Sequence, residues 1–362
     1  MNFDFSEEQK LLQQTARDYL TEHCTLEVGR AVLEGGGTHS ESLWKGVAEM
    51  GWLGAAVPEE YGGAGFGRLE LALIAQELGR ALAPIPFGPS VYLATEAVLE
   101  FGSDEQRKKY LPRLASGDLI GTFAFAEGPG RVGADAVATK FDGSTLTGTK
   151  FPVADGGIAG LAVVVAQGAS GPQLVLAELD GVKSDTITSI DPSRGQARLH
   201  FEGTAAEALG SGGAAAISHL LDRAAVLTAF EQIGGAERAL DETKAFTMGR
   251  YAFGRPVASF QAMKHRMADV YAAIQLATSN AYYGAWALST GDDELATAAC
   301  GTRVAACEAY DLAGKEIIQM HGGVGFTWEY DCHLFYRRAK LLSLSLGTPG
   351  EWRDKLIDRL EA

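Results

Sequence analysis

The sequence has few cysteines, few prolines and too little positive charge for several classes of protein. Its cysteines are Cys24, Cys300, Cys307 and Cys332, with no Cys-x-x-Cys pair, so neither a disulfide scaffold nor a zinc site is expected. Basic residues number 31 against 46 acidic ones, a net charge of −15, which disfavours nucleic acid because a phosphate backbone is held mainly by basic side chains. Only 11 prolines among 362 residues exclude a proline-rich linker protein.

The chain also lacks a long apolar run and a secretory leader. The longest strongly apolar stretch, residues 158–166, is far shorter than the roughly 20 residues that span a bilayer. The first residues, MNFDFSEEQK, show no basic start followed by an apolar segment, so we expect no signal peptide. With cysteines that show no pairing pattern, these features predict a cytoplasmic protein without a membrane partner.

Hydrophobic periodicity divides the chain into three parts. Residues 1–117 have helical spacing, and Ser6 and Gln9 are placed to form a capping box before a helix that runs to Leu20. Residues 118–208 hold short β-leaning runs separated by Asp-Gly and Pro-Ser turns, which predict a compact, mostly antiparallel β-domain. Further helices are expected at 42–50, 69–82, 93–100 and 103–115, and then at 214–248, 259–288, 293–321 and 351–362.

These patterns predict an α+β fold with three successive domains. An N-terminal helical bundle occupies residues 1–117, a middle antiparallel β-domain residues 118–208, and a C-terminal four-helix bundle residues 209–362.

The segment from Gly128 to Gly133 matches the G-x-G-x-x-G dinucleotide pattern but lacks its context. In a dinucleotide site these glycines lead directly into a helix whose N-terminus meets the phosphates. Here residues 134–141 resemble a strand and Asp142-Gly143 a turn. We therefore expect a loop of the β-domain.

Two further clusters interrupt the C-terminal helices. The first, RYAFGRP at 250–256, is compatible with an ordinary helix–loop–helix connector. The second, QMHGGVGF at 319–326, places three glycines within four positions, where one glycine would suffice to end a helix. Additional glycines let the backbone approach a ligand closely and present N–H groups to it.

Together these segments resemble the acyl-CoA dehydrogenases, flavoenzymes that oxidise the Cα–Cβ bond of an acyl-CoA thioester. PEEYGGAG at 58–65, GSDEQRKKYLPRLASG at 102–117, R-x-x-F-G at 250–254 and Q-x-x-G-G-x-G-F at 319–326 are similar to family motifs in the same order. The resemblance implies FAD as cofactor, an acyl-CoA substrate from fatty acid or sterol side-chain β-oxidation, and electron-transfer flavoprotein as electron acceptor. It also implies a dimer or tetramer, formed with itself or with a homologous subunit.

The resemblance assigns cofactor-binding residues. In the family, the arginine of R-x-x-F-G reaches the FAD pyrophosphate of a neighbouring subunit, and this role is carried to Arg250, since a guanidinium pairs with two phosphate oxygens at once. Phe253 is then expected beside the adenosine half. The other matching positions are Gln261, Gln319, Gly322, Gly323 and Thr348.

The chain departs from the family at the catalytic base. The usual glutamate before Gly-Thr near the C-terminus is replaced by Leu346, which cannot accept a proton. The base of a minority of members, early in the first helix after the β-domain, falls on Ala224 when counted back from Arg250 without gaps. A shift of two residues gives Asp222, which is the candidate base; the alternative is a solvated carboxylate paired with Arg223.

The segment that faces the flavin in the family is altered too. Where members have Thr-Glu-Pro-Gly-Ala-Gly-Ser, this chain has AEGPGRV, with Ala126 in place of Thr and Val132 in place of Ser. A later Trp-x-Thr becomes Pro152-Val-Ala154. Hydrogen bonds that hold and tune the flavin ring, and an aromatic wall, would be missing on this chain's own side.

These departures leave three functions open. The first is a subunit that co-assembles with a base-bearing homologue, as in the α2β2 dehydrogenases of bulky substrates such as sterol side chains, which residues 322–340 resemble. The second is a homomeric flavoenzyme of the same fold with Asp222 or another relocated base. The third is a non-catalytic acyl-CoA-binding or scaffold subunit.

Overall fold

The computed structural model describes residues 5–130, 133–210 and 213–361, and within them helices, strands and helices follow in the predicted order. The helices before the strands are α1 (Glu7–His23), α2 (Leu26–Gly35), α3 (Glu41–Glu49), α4 (Arg68–Arg80), α5 (Glu96–Phe101) and α6 (Asp104–Ala115). The strands of the middle region are β1 (Gly121–Ala124), β2 (Lys140–Phe141), β3 (Thr145–Ala154), β4 (Leu161–Gly168), β5 (Gly171–Glu178), β6 (Lys183–Thr186), β7 (Gln196–Ala205) and β8 (Glu207–Ala208). The remaining elements are α7 (Gly213–Gly249), β9 (Tyr251–Ala252), β10 (Arg255–Pro256), α8 (Gln261–Thr290), α9 (Leu295–His321), α10 (Cys332–Leu344) and α11 (Pro349–Glu361).

Local caps set the starts of the N-terminal helices. Ser6 and Gln9 form the predicted capping box, with the Gln9 amide donating to Ser6 Oγ at 3.2 Å and the Ser6 amide to Gln9 Oε1 at 2.9 Å. Ser103 and Gln106 form the same reciprocal pair at α6. The helix expected at 93–100 is only partly right, because a buried π-helical stretch, Gly88–Thr95, comes first and α5 begins at Glu96.

The middle strands form one sheet in the order β6-β7-β3-β2-β4-β5-β8, with β1 also pairing with β4. Most pairs are antiparallel, as predicted, while β1 and β2 run parallel to β4. Strand β4 is buried from Leu161 to Ala166 and forms part of the apolar core with residues of β3, β5 and β7. The expected strand at 136–141 shrinks to β2, because residues Ala134–Ala136 form a single 3₁₀ turn.

That turn also bears on the G-x-G-x-x-G pattern. Only the three-residue turn separates Gly133 from the extended chain that leads to β2, so the expectation of a β-domain loop is confirmed for the described residues. Arg131 and Val132 lie outside the described residues.

The chain separates into two compact units. The first contains the chain up to Ala31, Ala72–Ala83 and everything from Ala225 onward; the second contains Val32–Leu71 and Pro84–Ala224. In the first unit, α9 packs against α8, α10 and α11, so α10, which was not predicted, joins the four expected C-terminal helices. No helix in the described ranges is long and apolar enough to cross a membrane.

Two glycines bring α4 and α7 into backbone contact within the first unit. A Cβ on Gly79 would lie 1.8 Å from the carbonyl oxygen of Glu231, and a Cβ on Gly234 would lie 1.8 Å from that of Gln76. Glycine is required at both positions because any side chain would overlap the other helix's backbone.

Candidate functional site

The ends of α7 and α9 meet at one end of the first unit. Phe246, in the last turn of α7, stacks on His321, the last residue of α9, with ring centroids 4.0 Å apart and planes 22° apart. Tyr330 meets both rings edge-on, at 6.0 and 6.2 Å. Since Arg250 follows α7 and Gln319 lies in the last turn of α9, the two sequence motifs are neighbours in the fold.

Residues 250–256 form a β-hairpin rather than a plain connector. Tyr251 pairs with Pro256 and Ala252 with Arg255 across the two strands. The turn residues Phe253 and Gly254 both have positive φ, +53° and +76°, as in a type I′ turn. A left-handed conformation costs a residue with a side chain about 1 kcal/mol or more, yet it is occupied here by a phenylalanine that is 95% exposed.

Arg250 has a fixed backbone and an exposed side chain. Its amide donates to Phe246 O at 2.9 Å, and its carbonyl accepts from Val257 N at 2.8 Å. No carboxylate of the described residues engages its guanidinium. Arg255, in the same hairpin, instead lies over the Phe260 ring at 3.9 Å. Gln261, exposed at the first position of α8, follows directly, so it lies beside this hairpin.

The three glycines after α9 have different local reasons. Gly322 caps the helix with φ +64°, its amide donating to Gln319 O. Gly325 is forced, because a Cβ there would lie 2.4 Å from Ile318 O. Gly323 has no described atom within 4 Å of its Cβ position. Nothing in the chain requires a glycine at 323, so the open backbone suits a bound group better than a helix stop.

The segment at the family's base position is tied to α11. Leu346 is 9% exposed, and its carbonyl accepts from Trp352 Nε1 at 3.0 Å. Thr348 caps α11: its hydroxyl accepts from Glu351 N at 3.2 Å, and its amide donates to Glu351 Oε2 at 2.7 Å. The 13 residues of α10, about 20 Å of helix, separate this segment from the glycine loop. The structure therefore does not bring Thr348 together with Gln319.

The alternative base positions lie on α7 and are both buried. Ala224 is 0% and Asp222 is 4% exposed, so the interpretation of Asp222 as a solvated carboxylate is wrong. Arg223 donates from Nε and Nη2 to Glu96 Oε2 at 3.0 and 2.9 Å. Glu96 also pairs with Arg68 at 3.2 Å. This buried charge network in the second unit was not predicted; the spacing of Glu96 and Glu100 on one helix face was its available signal.

The segment expected to face the flavin is held by a buried ion pair. Lys150, which is fully buried, donates to Glu127 Oε1 at 2.8 Å and to Phe125 O at 3.0 Å. Glu127 also accepts the Ala138 and Thr139 amides at 2.6 and 2.9 Å. Burial raises the pKa of Glu127, but these hydrogen bonds lower it further, to about 2. Glu127 is thus ionised and engaged, and is a poor general base.

The described residues of this segment offer no hydroxyl at the altered positions. Ala126 uses its carbonyl to accept from Phe151 N at 2.8 Å, and Ala154 uses its own to accept from Thr122 Oγ1 at 2.5 Å. Val132 lies outside the described residues. Within the described ranges, no three His, Cys, Asp or Glu side chains gather closely enough to hold a metal ion.

Comparisons with known proteins cover nearly the whole chain. Family models for the acyl-CoA dehydrogenase N-terminal domain and C-terminal domain match residues 6–118 and 210–360. Acyl-CoA dehydrogenase IpdE2 of Mycobacterium tuberculosis is 33% identical over 357 residues, 98% of this chain and 97% of its own length. The solved structure titled Tcur3481-Tcur3483 steroid ACAD G363A variant matches with a TM-score of 0.90 and 31% identity over 98% of both chains. The ChsE4-ChsE5 complex from Mycobacterium tuberculosis matches with a TM-score of 0.91 and 27% identity over 100% of this chain and 99% of that one.

Proposed function

The chain belongs to the acyl-CoA dehydrogenase family of FAD-dependent oxidoreductases, and from that premise we propose that it is the base-lacking subunit of a heteromeric enzyme acting on a bulky, sterol-type acyl-CoA. Arg250, Phe253 and Gly323 would hold the nucleotide end of an FAD whose ring lies in a homologous partner subunit. When bound, FAD accepts the hydride from the β-carbon. A carboxylate of the partner would take the α-proton, which leaves the α,β-unsaturated thioester.

The observation that carries the proposal is the loss of a carboxylate at both family base positions. A general base needs a lone pair and must come within hydrogen-bond reach of the proton that it takes. Leu346 and Ala224 are both buried and have no titratable group. Asp222 remains as the competing candidate, and a homomeric enzyme that depends on it is tested below.

FAD fits one part of this chain and not another. The exposed guanidinium of Arg250 suits a pyrophosphate, and the open backbone at Gly323 suits close approach of the nucleotide. Around the altered flavin-facing segment, Ala126 and Ala154 have no side-chain hydrogen-bond donors. The nucleotide grip and the ring pocket would therefore be divided between two subunits.

Relatives support a two-subunit assembly. One matching structure carries two gene products and the word steroid in its title, and another is titled as a complex of ChsE4 with ChsE5. By this proposal, reduced flavin passes its electrons to electron-transfer flavoprotein. The four cysteines are buried free thiols, which is compatible with a reducing compartment such as the cytoplasm.

The first experiment compares the lone chain with a co-purified assembly. The chain is expressed alone and together with a homologue encoded beside it, and the flavin-to-protein ratio and acyl-CoA-dependent dye reduction are measured. We expect little flavin and little turnover from the lone chain, and both from the assembly. Full flavin loading with brisk turnover by the lone chain would refute the proposal.

Variants in the assembly separate the two remaining candidates. Arg250→Met should weaken FAD binding by about tenfold or more, since a charge-assisted hydrogen bond contributes about 1.5–3 kcal/mol. Arg255→Met is the matched control in the same hairpin and should change the affinity less than twofold. Asp222→Asn should keep most of the turnover. Turnover abolished by Asp222→Asn, with flavin still bound, would favour the homomeric enzyme.

A further inference from the structure

Arg30 of α2 is bonded to the segment that follows the glycine loop. Its Nη2 and Nε donate to Asp331 Oδ1 at 2.6 and 3.2 Å, and its Nη1 donates to Trp328 O at 2.8 Å. Its side chain is only 20% exposed. One guanidinium therefore holds a carboxylate and a backbone carbonyl three residues apart, and we call Arg30, Trp328 and Asp331 the Arg30 clasp.

The indole of Trp328 is held on its faces as well. It stacks on His333 with centroids 4.4 Å apart and planes 13° apart. The guanidinium carbons of Arg30 and Arg337 lie 5.9 and 5.8 Å from its centroid, within the range of cation–π attraction. Burial, and then the two nearby guanidinium groups, lower the pKa of His333, so the ring is neutral at pH 7 and adds no third positive charge.

The glycine loop, residues 322–326, is thus fixed from both sides. On its N-terminal side, Gly325 packs against the backbone of Ile318 in α9. Immediately beyond it, the Thr327 amide and hydroxyl donate to Val324 O at 3.1 and 2.9 Å. The Arg30 clasp then holds the chain at 328 and 331, and α10 begins at Cys332. A short loop tied at both ends keeps its shape before a ligand arrives.

We infer that Arg30 is a positioning residue for cofactor binding, because its clasp holds the glycine loop in the shape that leaves Gly323 open to the adenosine end of FAD. The inference rests on the proposed function and extends it to a residue near the start of the chain. Affinity falls in proportion to the fraction of molecules whose site has the competent shape. A loop released from the clasp should therefore bind FAD about tenfold more weakly or worse.

The test uses the co-purified assembly stripped of flavin. Arg30→Met and wild type are compared by hydrogen exchange of the amides of residues 322–331 and by the FAD dissociation constant from titration. We expect faster loop exchange and an FAD dissociation constant raised about tenfold. Arg30→Lys keeps the charge but not the planar fork, and should give an intermediate constant.

The matched control is Arg17→Met. Arg17 donates to both oxygens of Glu77, at 2.7 and 2.9 Å, in the same unit, so its loss also breaks an arginine–carboxylate pair. It should leave loop exchange and FAD affinity as in wild type. If Arg30→Met binds FAD as tightly as wild type, with or without faster exchange, the inference fails alone. If the wild-type assembly binds no FAD, or if Gly323→Val leaves its affinity unchanged, the proposed function fails and the inference with it.

Discussion

Replacing Gly79 by alanine is expected to force α4 away from α7. The added Cβ would lie 1.8 Å from the carbonyl oxygen of Glu231 and 2.7 Å from the Glu231 Cα. Comfortable contact between such atoms is about 3.5 Å, so the helices must separate locally by about 1.5 Å. The nearest atoms all belong to the Glu231 backbone, so no side-chain rotation can relieve the overlap.

Two opposing contributions decide the sign of the stability change. Alanine is favoured over glycine in a helix interior by about 0.5–1 kcal/mol. Overpacking a close contact costs about 1–3 kcal/mol, and the upper end applies when backbone must move. The shift would also disturb Gln232, whose side chain accepts from the buried Arg303 at 2.6 Å. The clash outweighs the propensity gain, so we expect a net loss of about 2 kcal/mol.

Calorimetric unfolding measures this loss. In a chain of this length, each kcal/mol shifts Tm by about 1–2 °C, so Gly79→Ala should lower Tm by about 2–4 °C. Gly234→Ala, 1.8 Å from Gln76 O, should behave alike. Gly29→Ala is the matched control: its Cβ meets nothing within 4 Å in α2, so Tm should rise slightly. A Gly79→Ala protein as stable as wild type would refute backbone contact between α4 and α7.

Three more outcomes are expected from single sites. Glu96→Gln leaves the buried guanidinium of Arg223 poorly compensated and should lower the free energy of unfolding by about 3 kcal/mol in denaturant titration; an unchanged value contradicts the ion pair. The pKa of Glu127 is lowered to about 2, so its stabilisation is complete above about pH 4.5 and lost as pH falls toward 2. Glu127→Gln should therefore be about 2–3 kcal/mol less stable than wild type at pH 6 and nearly equal to it at pH 2, whereas a constant difference argues against this titration. Thr348→Ala removes the cap of α11 and should cost about 1 kcal/mol, detected as faster amide exchange around Glu351; unchanged exchange there would exclude the cap.

Elements with local signals were predictable, and elements without them were missed. The capping boxes at Ser6 and Ser103 involve residues three apart, so the starts of α1 and α6 could be placed from the sequence. Helix α2 was missed because Gly29 and the glycines at 35–37 resemble a loop. Helix α10 has no side-chain cap at Asp331, so its start gave no signal.

The candidate cofactor residues were recognisable one motif at a time, but their convergence was not. Arg250 and Gln319 belong to different helices, and only the stacking of Phe246 on His321 makes their segments neighbours. The assignment of Thr348 stays a prediction; here it caps α11. Asp222 also stays a candidate base, now with a buried rather than a solvated carboxylate.

By itself, the sequence determined the succession of helices, strands and helices, and it placed leucine and alanine where the family has its bases. Periodicity, caps and residue identity are local properties and need no knowledge of distant contacts. Only the tertiary structure decided that Lys150 is buried against Glu127, and that Arg30 reaches Asp331 across the length of the chain. Such pairs depend on which surfaces the core brings together, because burial and hydrogen bonding between remote segments leave no period in the sequence.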